Sequence, residues 1–173
     1  MKHLRLLLFL LALALMAVGL PREAQALTWS TVTVDAPGSV GQHTSIAVDA
    51  NGAPVISYLD TSNGDLKFAI CDLSASINLN CDQPGDWNKV TVDAAGIAGA
   101  EYTSIAVGAN GDPVISYRAS TNADLKFAIC DLSASTNGNC DQAVDWKKVT
   151  VDSPGNVGHY TSIAVGANGD PVI

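Results

Sequence analysis

Any chemistry in this chain has to come from a small set of side chains. His43 and His159 are candidates for acid–base work, because imidazole titrates near neutral pH. Glu101 is the sole glutamate after residue 26, and Arg118 the sole arginine. Glycoside hydrolysis needs two carboxylates at a set distance, a distance that spacing alone does not define. When the chain is aligned on itself, His43 falls opposite Tyr102 and Tyr160, while His159 falls opposite Gln42 and Glu101. Two unmatched histidines read more simply as solvated loop residues than as catalysts. No catalytic residue is assigned.

Oxygen ligands for calcium stand at short spacing in "DTSNGD", Asp60 to Asp65. The next copy reads "ASTNAD", with Ala119 in place of Asp60. Asn63, Asn122, Asp65 and Asp124 persist, and turn chemistry accounts for them, since Asn and Asp side chains bond their own backbone. No cofactor or metal is expected. Trp29, Trp87 and Trp146, with Tyr58 and Tyr117, have two readings: stacking against sugar rings, or packing between neighbouring sheets. The packing reading is preferred.

Cys71, Cys81, Cys130 and Cys140 show the same gap twice. Four cysteines allow three pairings. The duplication favours one bridge per copy, Cys71–Cys81 and Cys130–Cys140, over zinc, which usually takes shorter spacings. Between the cysteines, "CDLSASINLNC" and "CDLSASTNGNC" differ only at Ile77-Asn78-Leu79 against Thr136-Asn137-Gly138. Variation at a stapled loop tip fits a presentation surface.

The elements that must position these residues repeat every 58 to 59 positions, as Trp29, Trp87 and Trp146 show. Each unit has four strand-like runs: "TSIAV", "PVISY", "LKFAIC" and "WNKVTVD" in the first copy. Asn51-Gly52 between the first two predicts a tight type I′ hairpin with positive φ at both residues. In "TSIAV", Ile46 and Val48 face one way and Ser45 and Ala47 the other. The small side chains suit a crowded centre. Four antiparallel strands per unit form the blade of a β-propeller, whose sheets cover one another's faces. The expected fold is all-β: a partial β-propeller of about two and a half four-stranded antiparallel blades after a signal peptide. Residues 27–35 form an isolated outer strand, 44–93 the first blade, 103–152 the second and 161–173 an incomplete third. The incomplete count reads as a truncated frame or a fragment, in preference to an oligomeric ring of short chains.

"SIAVDANGAPVISY" resembles the first two strands of blades in the NHL and bacterial SBBP-type repeat families. "TSIAVDANGAPVISYLDTSNGDLKFAICD" is similar to repeats of secreted bacterial proteins read as sialidase-like or BNR-type propellers. The resemblance runs from Trp29 to Ile173. It implies a propeller scaffold, but the sialidase Asp-box, S-x-D-x-G-x-x-W, is absent from every copy. The arginine cluster by which such enzymes grip a carboxylate is reduced to Arg118.

Residues 1–26 read as a signal peptide. Lys2, His3 and Arg5 precede the apolar run Leu6–Leu20, and "AQA" closes it as a cleavage site. The apolar run is short for a membrane span. The whole chain carries a net charge of −8. Cleavage removes Lys2, Arg5, Arg22 and Glu23, leaving six basic and sixteen acidic residues, or −10. So acidic a surface repels phosphate backbones and anionic lipid, so neither nucleic-acid binding nor membrane insertion after cleavage is expected. These features together predict a secreted or cell-surface binding or adhesion module for a glycan or an extracellular protein. Two alternatives stay open: a piece of a sialidase-like or lyase-type enzyme whose catalytic residues lie elsewhere, and a structural spacer of the cell envelope.

Overall fold

The computed structural model describes residues 30–94 and 99–173, and Thr31–Ile173 form one compact unit. The expected signal peptide and Trp29 lie outside the described residues. Two four-stranded antiparallel sheets follow each other in sequence. The first joins β1 (Val40–Val48), β2 (Pro54–Asp60), β3 (Asp65–Cys71) and β4 (Trp87–Asp93) in that order. The second joins β5 (Ala100–Val107), β6 (Pro113–Ala119), β7 (Asp124–Cys130) and β8 (Trp146–Asp152). A two-stranded hairpin, β9 (Ala164–Val165) and β10 (Pro171–Val172), begins a third copy. The four runs expected per copy are therefore four strands of one sheet.

Three local details differ from the sequence reading. The first strand starts at Val40 rather than Thr44, and it carries an irregularity between Gln42 and Ser45. Of the outer strand expected over residues 27–35, the described part, residues 30–35, enters no ladder. The Asn51-Gly52 turn is not type I′, because φ is positive at Gly52 (84°) but not at Asn51. The Gly52 N–H bonds Asp49 O at 3.1 Å, and the Asp49 N–H bonds Ala53 O at 2.9 Å. That is a type I turn closed by a glycine bulge, a looser hairpin than a two-residue loop. Asp49 selects it: its Oδ1 accepts the N–H groups of Asn51 and Ala53, both at 2.8 Å.

Strand alternation gives each sheet two apolar faces, and the two sheets share a core through one face of each. Val55, Leu66, Phe68 and Val92 of the first sheet meet Ile115, Tyr117, Ala128 and Trp146 of the second. The Phe68 and Trp146 rings meet edge-on at 4.9 Å between centroids, an arrangement worth about 1 kcal/mol beyond the area buried. Burial decides which face is which. Ile105 is 6% exposed where the first sheet covers it, whereas its counterpart Ile46, on the uncovered face of the first sheet, is 65% exposed.

The first strands of successive copies lie side by side without forming a ladder. Hydroxyl side chains bridge them instead. Ser45 Oγ accepts the Ile105 N–H at 3.1 Å, and Ser104 Oγ accepts the Ile163 N–H at 3.1 Å. Thr103 Oγ1 donates to His43 O and meets Ser57 Oγ, each at 2.8 Å. The small polar residues of "TSIAV" thus occupy the edge N–H groups that would otherwise invite a stray strand.

The bridges lie within each copy: Cys71 is bonded to Cys81, and Cys130 to Cys140, the latter pair buried in the shared core. Each bridge loop ends in a single 3₁₀ turn, Pro84–Asp86 or Ala143–Asp145. The tryptophan that follows then donates its indole N–H back to the second cysteine's carbonyl, Trp87 to Cys81 at 3.1 Å and Trp146 to Cys140 at 3.0 Å. Two disulfides belong in an oxidising, extracellular-type compartment. Among the described residues no helix is long and apolar enough to cross a membrane.

Candidate functional site

The residues that break the repeat meet at one rim of the sheets. In every copy a glycine with positive φ closely precedes "TSIAV": Gly41, Gly99 and Gly158. A non-glycine residue then sits in the left-handed region in each copy, His43 (φ 52°), Tyr102 (φ 54°) and Tyr160 (φ 52°), the first two within the irregular stretches of β1 and β5. A ring at positive φ costs of order 1 kcal/mol or more, and such strain concentrates at functional sites. In β1 and β5 the bulge re-aims His43 and Tyr102, which would otherwise follow the pleat.

The result is a row of aromatic rings, one per copy. His43 and Tyr102 are 4.7 Å apart between centroids, and Tyr102 and Tyr160 4.6 Å. His159 adds a fourth ring, 5.2 Å from Tyr102. Tyr160 closes the row and is 81% exposed.

Beside the rings stands a polar cluster. Glu101 on β5 and Arg118 on β6 are directly opposite in the ladder register, so their side chains emerge on the same face. Arg118 Nη1 donates to Glu101 Oε2 at 2.7 Å. The other side of its fork, Nε and Nη2, donates to Asn156 Oδ1 at 3.2 and 2.8 Å. The same Asn156 oxygen lies 3.0 Å from His159 Nε2. A guanidinium can serve two partners in this way because its donors are fixed in one plane. In the first copy the pair opposite in register is Gln42 and Leu59. The charged couple therefore belongs to the second copy alone. A groove of about 140 Å³ runs between His43 and Glu101, bounded by Gln42, Leu59, Thr61 and Gly99.

His43, His159, Glu101 and Arg118, unrelated in sequence position, are thus gathered at one rim. Tyr102, Tyr160 and Asn156 complete the site and were not legible as members of it. The available signal was the pair before "TSIAV", which changes from Gln-His to Glu-Tyr to His-Tyr while the strand after it stays constant.

The other candidates are placed in the scaffold. Tyr58 and Tyr117 are buried, and each donates to an aspartate, Tyr58 to Asp35 at 2.8 Å and Tyr117 to Asp93 at 2.6 Å. Trp87 and Trp146 are buried against the bridges. Asp60 folds onto its own turn: Oδ1 accepts the Ser62 and Asn63 N–H groups, and Oδ2 the Asn63 amide at 2.9 Å. Burial pushes the Asp65 carboxyl above its usual range, with the nearby Asp60 adding to the effect. The tips of the bridge loops are exposed, Ile77 fully and Leu79 at 69%.

Fold and site together define a disulfide-bridged, all-β repeat protein of stacked antiparallel sheets with an aromatic rim. No protein-family model matches the chain, and comparison with curated proteins found no match.

Proposed function

We propose that this is a secreted repeat module of the β-propeller type that binds carbohydrate at the aromatic rim. The observation that carries the reading is the convergence of Glu101, Arg118, Asn156 and His159 beside the His43–Tyr102–Tyr160 row. Sugars present C–H groups on their ring faces and hydroxyls on their edges. Ring side chains match the first, and a cluster of carboxylate, amide and imidazole matches the second. The propeller arrangement is supported by the side-by-side first strands and by the face-to-face packing of consecutive sheets.

The cluster holds a single carboxylate, already engaged by Arg118. That suits binding better than hydrolysis, which calls for a second carboxylate across the scissile bond. The acidity of the chain favours a neutral glycan over an anionic one. A glycan array followed by calorimetry on the hits tests the reading. Retained neutral glycans whose affinity falls at least tenfold in Tyr160→Gly or Arg118→Leu support it. Capture of an extracellular protein with no glycan retained, or turnover of a glycoside, would replace it.

A further inference from the structure

We infer that a cleft at the end of the first sheet away from the aromatic rim binds a lysine side chain carried on a peptide, with the ammonium at Asp72 and a peptide carbonyl at the Leu73 N–H. The cleft, of about 240 Å³, lies between the β1–β2 hairpin and the first bridge loop. Asp49, Asn51, Ala53, Asp72, Leu73 and Asn88 stand in its wall. β1 carries His43 of the rim near its start and reaches the cleft at its end, Val48, opposite Pro54.

The second copy shows what such a corner takes, because it fills its own. Lys147 Nζ donates to Asp131 Oδ2 at 2.6 Å. Asp112 accepts the Leu132 N–H on Oδ1 at 3.1 Å and the Asn110 amide on Oδ2. One ammonium and one oxygen acceptor therefore occupy the corner, both supplied by the chain itself. In the first copy Asn88 stands in place of Lys147, and Ala53 in place of Asp112. Both occupants are gone, while the groups that received them are kept as Asp72, Leu73 and Asn51.

Asp72 Oδ1 accepts the Ser74 hydroxyl and the N–H groups of Ser74 and Ala75, and Oδ2 meets no cation among the described residues. The Ser74 hydroxyl holds this carboxyl below its usual range, so it is charged at neutral pH. The Leu73 N–H and the Asn51 amide face the cleft without the acceptor that Asp112 gives their counterparts. Asp49, where the second copy has Gly108, adds a second carboxylate to the wall. Two carboxylates select a cation and turn away a ligand carboxylate, so the acceptor that fits at Leu73 is a neutral amide carbonyl. A lysine within a peptide presents both groups, whereas free lysine puts a carboxylate where the carbonyl should be. The net charge of −8 draws such a ligand towards the chain. This inference does not rest on the carbohydrate reading, and either can fail alone.

The test titrates the full chain with Nα-acetyl-lysine N-methylamide at low salt and follows backbone amide resonances. Those of Leu73 and Ser74 should move and saturate, while those of Tyr102 and His159 stay in place. Acetylating the probe's Nε removes the ammonium and should abolish the shifts, and free lysine should bind more weakly than the amide. Asn88→Lys and Ala53→Asp each install the residue that the second copy carries at the same place, so the fold should be kept. Each should weaken binding roughly fivefold, the weight of an exposed ion pair or one hydrogen bond. Shifts at Leu73 that are absent or never saturate overturn the inference. So do equal binding of the Nε-acetyl probe or of free lysine, parent-like affinity in both variants, or shifts at Tyr102 in place of Leu73.

Discussion

Lys126 and Tyr117 of the second sheet converge on one carboxylate of the first, Asp93, from 2.5 and 2.6 Å. Burial alone would raise this carboxyl's pKa, but the hydrogen bonds from Lys126 and Tyr117 hold it below the usual range. Burial pushes the Tyr117 phenol well above its ordinary value, and the bond to Asp93 pushes it further. Neighbouring sheets are thus joined by an apolar core with one charged clasp at its margin.

Removing the clasp should separate stability from core packing. Asp93→Asn is expected to cost about 1.5–3 kcal/mol, the range for hydrogen bonds to a charged group, and Tyr117→Phe less. Urea titrations of both variants and the double variant measure the coupling. Additive effects would show that Asp93 and Tyr117 do not act on each other.

Acid should reproduce the Asp93→Asn effect. A carboxylate whose folded pKa is depressed contributes stability that is full above its unfolded pKa, about 3.9. That contribution is lost as pH falls through the lower folded value. Asp35 is depressed in the same way, burial being outweighed by Lys67 and Tyr58. The stability gap between the parent and Asp93→Asn should hold from pH 7 to about 4 and close below that. Denaturant midpoints at successive pH values provide the check, and a gap independent of pH would contradict it.

The two bridges should differ in lability. Cys130 and Cys140 are fully buried, whereas Cys81 is partly exposed. Mild reductant with alkylation and peptide mass spectrometry should therefore trap Cys71 and Cys81 first. Each bridge closes a loop of separation 10, for which chain entropy gives about 2–3 kcal/mol. Cys71→Ala/Cys81→Ala should lose about that much.

At the rim, function and stability should part company. Tyr160→Gly removes an exposed ring from a positive φ. Relief of strain and the added freedom of the unfolded chain oppose each other, so stability should move by less than about 1 kcal/mol. Arg118→Leu installs the residue of the first copy, Leu59, and should keep the fold. Both should weaken glycan binding at least tenfold by calorimetry. Unchanged affinity in both would remove the rim from the site.

The sequence by itself determined the all-β class, four strands per copy and one bridge per copy, because alternation, turn residues and duplicated cysteine spacing act over a few residues. It misjudged the Asn51-Gly52 turn, since Asp49 outside the pair decides which backbone the loop adopts. Only the tertiary structure decided that Glu101, Arg118, Asn156 and His159 share a rim, being up to 58 positions apart in the chain. Their meeting depends on how the bulged first strands lie side by side. It also decided why Ile46 is bare and Ile105 covered: the two side chains are chemically the same, and burial belongs to the neighbouring sheet.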